Sequence, residues 1–299
     1  MKLKQPLLSE TMMLAIFLIP LVAVLLVTDI IPLGFSTYLA TSSWQLIDRG
    51  ASATWVGIEN FRKVIADPVF RDSFRVSIEF ALGSTLVELL LGLVVAYMVV
   101  GESWTMRAAR TIMIVPMFIP GVVVGTIWRM MLNVNSGIVN YALGLIGIPP
   151  QTWFSAANTA MPSIILVDVW YSTSFVIVLL VAGISTLPPD PVRAAMVDGA
   201  SRWQVFRYIM LPMLTPVLSV AALFRFIGSF FVLDHVYTTT YGGPGFATNA
   251  MSFHLYRQGL QFFNLSYTAA ASWLMIGFAL LVILVLSWLR RVLERHAGP

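Results

Sequence analysis

Five ionisable side chains, Asp29, Glu88, Asp168, Arg225 and Asp234, stand inside or at the ends of long apolar runs in this 299-residue chain. A charge in an apolar medium is costly, so such residues either meet a passing solute or pair with one another. Arg225 lies deepest in its run. Its five N–H donors require carboxylate or carbonyl partners when buried, and Glu88 and Asp168 are the acids within similar runs. Two readings stay open for it. Its donors face a central cavity and grip solute hydroxyls, or it is locked in an ion pair that fixes helix packing.

Other chemistries find little support. His235, His254 and His296 are scattered with no HExxH pair, and the chain has no cysteine, so neither a zinc site nor a disulfide framework is expected. No Ser-His arrangement and no paired intramembrane aspartates in a recognised motif appear, so this chain is expected not to be an enzyme. The TYGGPG stretch at 240–245 is rich in glycine, but GxxxxGK[ST] is absent and no helix-opening lysine follows. It reads as a tight reversal before 249–259, and no cofactor is expected on this chain.

Composition identifies the surroundings in which these residues work. The chain is 58% hydrophobic and 11% charged, with a mean hydropathy of +0.85, whereas soluble domains average about 25% charged residues. Lipid must therefore be the solvent for most of it. The net charge of +4 fits cationic residues at membrane flanks better than a nucleic-acid partner.

Six runs are long enough to cross a hydrocarbon core of about 30 Å: 12–33, 77–100, 111–132, 161–185, 213–234 and 268–289. Pro116, Pro120 and Gly121 interrupt the third. The first begins with the basic MKLKQ but exceeds the apolar core of a signal peptide, and reads as an uncleaved span. Ten of the eighteen basic residues (Lys2, Lys4, Arg107, Arg110, Arg193, Arg202, Arg207, Arg290, Arg291 and Arg295) fall on one side if the N-terminus is cytoplasmic. Arg49, Arg62, Lys63, Arg71, Arg75, Arg129 and Arg257 are spread through longer loops opposite. The density of positive charge puts both termini in the cytoplasm.

Between the fourth and fifth runs lies the polar segment RAAMVDGASRWQVFRYIMLP, 193–212. Asp190 and Pro191 read as an N-cap and first helical residue. Gly199 supplies a turn, and Ser201 caps a second helix over 202–210 that Leu211-Pro212 ends. The small residues Ala194, Ala195, Gly199 and Ala200 allow another backbone close, while Met196, Val197 and Phe206 offer apolar anchors.

The order Ala194-Ala195, Asp198-Gly199-Ala200, Phe206 and the closing Ile209, Leu211, Pro212 resembles the cytoplasmic coupling loop, the EAA motif, of ABC-importer permeases. Arg193 stands where that family usually has Glu. The stretch from Phe224-Arg225 to Thr248, the Trp55–Phe74 segment and the Pro20 to Pro32 spacing are similar to the carbohydrate-type members. The resemblance implies an all-α polytopic protein with six transmembrane helices, a type I importer transmembrane domain over 73–289 with its coupling loop at 190–212. It follows an N-terminal tail, first span and first periplasmic loop over 1–72, and precedes a cytoplasmic tail at 290–299. It further implies a multi-pass permease of the bacterial inner membrane carrying a sugar or sugar-like solute. The expected partners are a second, non-identical permease, two ATP-binding subunits that use ATP and magnesium, and an extracytoplasmic solute-binding protein. Arg193, Ala194, Ala195, Met196, Asp198, Gly199, Ala200 and Phe206 would meet the ATPase. Arg225, Glu88, Asp168, Trp170, Asp234 and Asn249 would line the solute pathway, with Trp170 and Tyr171 placed either to stack on a sugar ring or to join the interfacial aromatic belt. Importers of glycerol phosphate, peptides or amino acids are the alternatives. An ion-driven transporter is a more distant one, since no internal repeat is evident.

Overall fold

Unbroken apolar sequence in lipid must satisfy its backbone internally, which favours helix, and helix dominates the computed structural model. It describes residues 10–44, 53–101 and 103–296. Lys2, Lys4 and Arg49 lie outside the described residues, as do the side chains of Arg290, Arg291 and Arg295 and the last part of the 290–299 tail.

The chain divides into two units. The first comprises residues 1–66 and 257–276. Helices α1 (Glu10–Leu25) and α2 (Ile31–Ala40) are joined by a π turn at Leu26–Ile30, making one continuous apolar rod. A two-residue antiparallel pair follows, β1 (Ser42–Ser43) with β2 (Thr54–Trp55), then α3 (Glu59–Ala66). Buried Asn60 donates through Nδ2 to the carbonyls of Ala40 and Ser42, each at 2.9 Å, tying α3 to the end of α2.

The second unit comprises residues 67–256 and 277–299. Helix α4 (Pro68–Val99) starts where Asp67 accepts from the Val69 N–H at 2.8 Å, with Pro68 at the first position. Its start lies nine residues before the expected 77, so Arg71 and Arg75 stand on its first turns rather than in a loop. Helix α5 (Trp104–Ile114), capped by Ser103, passes through a 3-10 turn at Val115–Phe118 to α6 (Gly121–Met131). The two halves bend by 98°. Pro116 and Pro120 cannot donate backbone hydrogen bonds and so interrupt the ladder here. The single third span expected over 111–132 is thus a broken one. Among the described residues, five helices are long and apolar enough to cross a membrane, or six with this bent pair.

After α7 (Ile138–Leu145) comes the long α8 (Ala157–Ser185), then α9 (Pro189–Val197) and α10 (Arg202–Val205). A π turn at Phe206–Met210 leads directly into α11 (Leu211–Phe230), followed by α12 (Asp234–Thr239), α13 (Met251–Tyr256) and α14 (Leu265–His296), whose length is shared between the units. Helices α4, α8 and α11 form the centre of the second unit. Ala96, Val176, Leu180, Ile184 and Leu214 make one buried cluster, and Phe80, Ile164, Val236 and Phe253 contribute to another. Small residues set the helix spacing, as membrane packing requires. A Cβ on Gly92 would fall 2.5 Å from Val176 Cγ1, and one on Gly183 would fall 3.0 Å from Val217.

Candidate functional site

Three helices deliver charge to one place. Glu88 from α4 is wholly buried, and Arg225 from α11 reaches it with Nε at 2.5 Å from Oε2 and Nη2 at 3.0 Å from Oε1. Nη2 also donates to Asp168 Oδ2 of α8 at 3.2 Å and to Ser229 Oγ at 2.9 Å. Ser229 Oγ in turn donates to Asp168 Oδ2 at 3.1 Å, and Ser172 Oγ to Oδ1 at 3.2 Å. His235 Nε2 of α12 stands 3.5 Å from Asp168 Oδ1. The fork of Arg225 thus bridges two acids on two helices, which a single-point lysine cannot do.

Sequence reasoning brings Arg225, Glu88 and Asp168 together but misses Ser172, Ser229 and His235. Ser172 and Ser229 each lie four residues after a charge on the same helix, a spacing that places the hydroxyl over it. His235 has no such signal, because it lies past a break in the helix at 231–233 that interrupts the register of α11.

Beside the cluster lies a cavity of about 230 Å³ whose lining includes Asp168, Tyr171, Arg225, Phe231, Asp234 and His235. Glu88 is behind this wall and not part of the lining. Asp234 is exposed and makes no ion pair among the described residues; its carboxylate packs against Gly121 at the start of α6, where a Cβ would fall 2.6 Å from Oδ2. Tyr171 meets the His235 ring edge-on with centroids 5.4 Å apart.

Two expected members are elsewhere. Trp170 points to a separate apolar groove of about 570 Å³ shared with Leu91, Met113 and Ile119, and packs edge-on against Trp128 at 5.8 Å. Asn249 is buried against α4, where its Nδ2 donates to Ser73 Oγ at 2.7 Å.

The polar segment 190–212 departs from its expected boundaries at both ends. Helix α9 begins at Pro189 with Pro188 as N-cap, so Asp190 sits inside the first turn and pairs loosely with Arg193 at 3.8 Å. Two prolines that fix φ near the helical value start the helix earlier than the Asp190-Pro191 pair suggests. Gly199 turns the chain with φ of +85°. Ser201 caps α10 as expected, and Gln204 completes a capping box by accepting from the Ser201 N–H at 2.7 Å. Leu211-Pro212 does not end this second helix. Pro212 falls after the π turn, whose widened ladder absorbs the missing donor, so the helix runs on through 202–230. Phe206 packs on Tyr97 of α4 at 5.0 Å, while Met196 and Val197 are exposed. Among the described residues, no group of three or more His, Cys, Asp or Glu side chains is placed to hold a metal.

Residues 88–298 match the family of binding-protein-dependent transport system inner membrane components. The chain belongs to this family. A probable ABC transporter permease of Sinorhizobium fredii is 35% identical over 91% of the chain and 88% of its own length. The trehalose/maltose transport system permease MalF of Thermococcus litoralis is 33% identical over 82% and 83%. In three dimensions the chain is similar to one in the crystal structure of a bacterial alginate ABC transporter in complex with its alginate pentasaccharide-bound periplasmic protein, with a TM-score of 0.79 over 94% and 95% of the two chains at 23% identity. The protein is therefore a polytopic, inner-membrane permease of an ABC importer.

Proposed function

We propose that this permease forms half of the pathway for a sugar or sugar-like solute, with the cavity beside Asp168 and Arg225 on that path. The observation that carries the reading is the cavity itself. It is a polar recess, edged by an aromatic ring, among spans that are otherwise apolar. Hydroxyl-rich solutes suit mixed donors and acceptors next to a ring face. Trehalose and maltose, in the name of the Thermococcus relative, are solutes of this type.

Segment 190–212 docks on a cytoplasmic ATP-binding subunit. The exposed Met196 and Val197 beside the Gly199 corner are suited to that role. ATP and magnesium are used in those partner subunits, of which there are two. A second, non-identical permease completes the pathway, and an extracytoplasmic binding protein delivers the solute. Both termini face the cytoplasm, as the basic residues at 290, 291 and 295 favour. ATP binding then shifts the assembly between inward and outward access.

Reconstituted assemblies test both halves of the reading. Gly199→Asp should abolish solute-stimulated ATP hydrolysis, and Tyr171→Ala should preserve assembly while lowering sugar uptake by about tenfold or more. Unchanged uptake in Tyr171→Ala would remove the cavity from the path. Unchanged hydrolysis in Gly199→Asp would remove the segment from coupling.

A further inference from the structure

We infer that the cavity beside Arg225 is a charge filter: it admits neutral and amine-bearing solutes and disfavours carboxylated, sulfated and phosphorylated ones. The inference rests on the cavity being the solute path. An arginine in a transport cavity invites the opposite conclusion, that it receives an anion, but the geometry argues against it. Nε and Nη2 of Arg225 are already committed to Glu88, Asp168 and Ser229, which leaves Nη1 as its one nitrogen without a hydrogen bond among the described residues. Its positive charge is met by Asp168 in the wall and by Glu88 behind it.

The groups facing the cavity can be counted by element. From α8 come Asp168, Tyr171 and Ser172; from α11 comes Arg225, with buried Glu88 of α4 behind it; from α12 come Asp234 and His235. Asp168 and Asp234 thus line the cavity against one guanidinium, so that with a neutral His235 the lining carries one excess negative charge. Arg129, a cation on α6, donates to the Thr238 carbonyl at 3.3 Å and lines a different cavity. Asp234 supplies the negative charge that no partner neutralises, and it is exposed at the cavity edge.

A second observation points to an occupant. His235 is 3% exposed and lines the cavity, yet its Nδ1 has no hydrogen-bond partner among the described residues. A buried imidazole nitrogen left unpaired is costly, and a solute hydroxyl or amine that drew His235 toward the cavity would relieve it. An anion that reached Nη1 of Arg225 would lie beside Asp168 and Asp234, whose two charges exceed that of the guanidinium in a medium of low dielectric.

The absence of cysteine in the chain makes a direct test possible. Phe231→Cys places one thiol in the cavity lining without altering a charge, and Leu233→Cys is a second position in case the first perturbs folding. In the assembled transporter, cationic trimethylammonium-ethyl and anionic sulfonatoethyl methanethiosulfonates are small solutes of the two classes. Their rate ratio at the cavity thiol, normalised to that at 2-mercaptoethanol, should favour the cation by about tenfold or more, and Asp234→Asn should reduce the preference. A ratio equal to the free thiol's, or one favouring the anion, overturns the filter while leaving the path in place. If neither reagent reaches either thiol, although both label after denaturation, the cavity is closed to solute and the path reading falls with the filter.

Discussion

At the scale of single residues, the cluster around Arg225 decides whether three helices can share one buried charge network. Arg225 and Glu88 have side chains 13% and 0% exposed, and Asp168 is 6% exposed. Breaking a buried pair by removing one partner is far more harmful than replacing the whole group, because it strands an uncompensated charge. Arg225→Met strands two carboxylates and should cost about 3–5 kcal/mol of unfolding free energy in detergent. Arg225→Lys keeps the charge but cannot span both acids, so a smaller loss is expected. Thermal or denaturant unfolding of the three proteins checks the order wild type, lysine, methionine. Equal stability of wild type and Arg225→Lys would mean that charge alone, and not the fork, holds the helices. The three principal members are legible in the sequence, since ionisable residues in apolar runs are conspicuous. His235 is not, because its position follows from a short break in the helix at 231–233 that has no periodic signature.

At the scale of elements, two glycines illustrate different reasons for lacking a side chain. Gly199 adopts φ of +85°, and a Cβ added there would meet no atom within 4 Å, so its requirement is conformational. Gly92 lies within α4, and its Cβ would meet Val176 of α8 at 2.5 Å, so its requirement is steric. Gly92→Ala should destabilise the permease by about 1–3 kcal/mol through overpacking, and Val176→Ala in the same chain should restore much of the loss. Gly199→Ala should cost about 1 kcal/mol through backbone strain, and no neighbouring truncation should rescue it. Unfolding midpoints of the two single and two double variants check this, and rescue of Gly199→Ala by Val176→Ala would refute the distinction. The helices themselves are legible as apolar runs, and Ser201 is legible as a cap from its type and place. The boundaries are less so. The amphipathic start of α4 is polar enough to pass for loop, and continuity through Pro212 depends on a π turn that no composition announces.

At the scale of the whole molecule, the number of membrane crossings turns on the bent pair α5–α6. Hydropathy sums over both halves and reports one span, whereas the structure bends by 98° between them. A true crossing and a re-entrant pair have the same composition but opposite parity. If the pair crosses, residues before α5 and after α8 share a side, because two crossings separate them. Basic residues argue for this: Arg107 and Arg110 on α5 then face the same side as Arg193, Arg202 and Arg207, as the positive-inside rule requires. Exposed Trp104, Ile146 and Val197 each offer a site for a single thiol in a cysteine-free background. Labelling of intact cells with a membrane-impermeant maleimide should modify Ile146→Cys from outside and spare Trp104→Cys and Val197→Cys until the membrane is opened. A re-entrant pair would instead place Trp104→Cys with Ile146→Cys and leave Val197→Cys alone on the other face. That result would separate the basic residues of α5 from those of the coupling segment, and the fold would have five crossings with its termini on opposite sides.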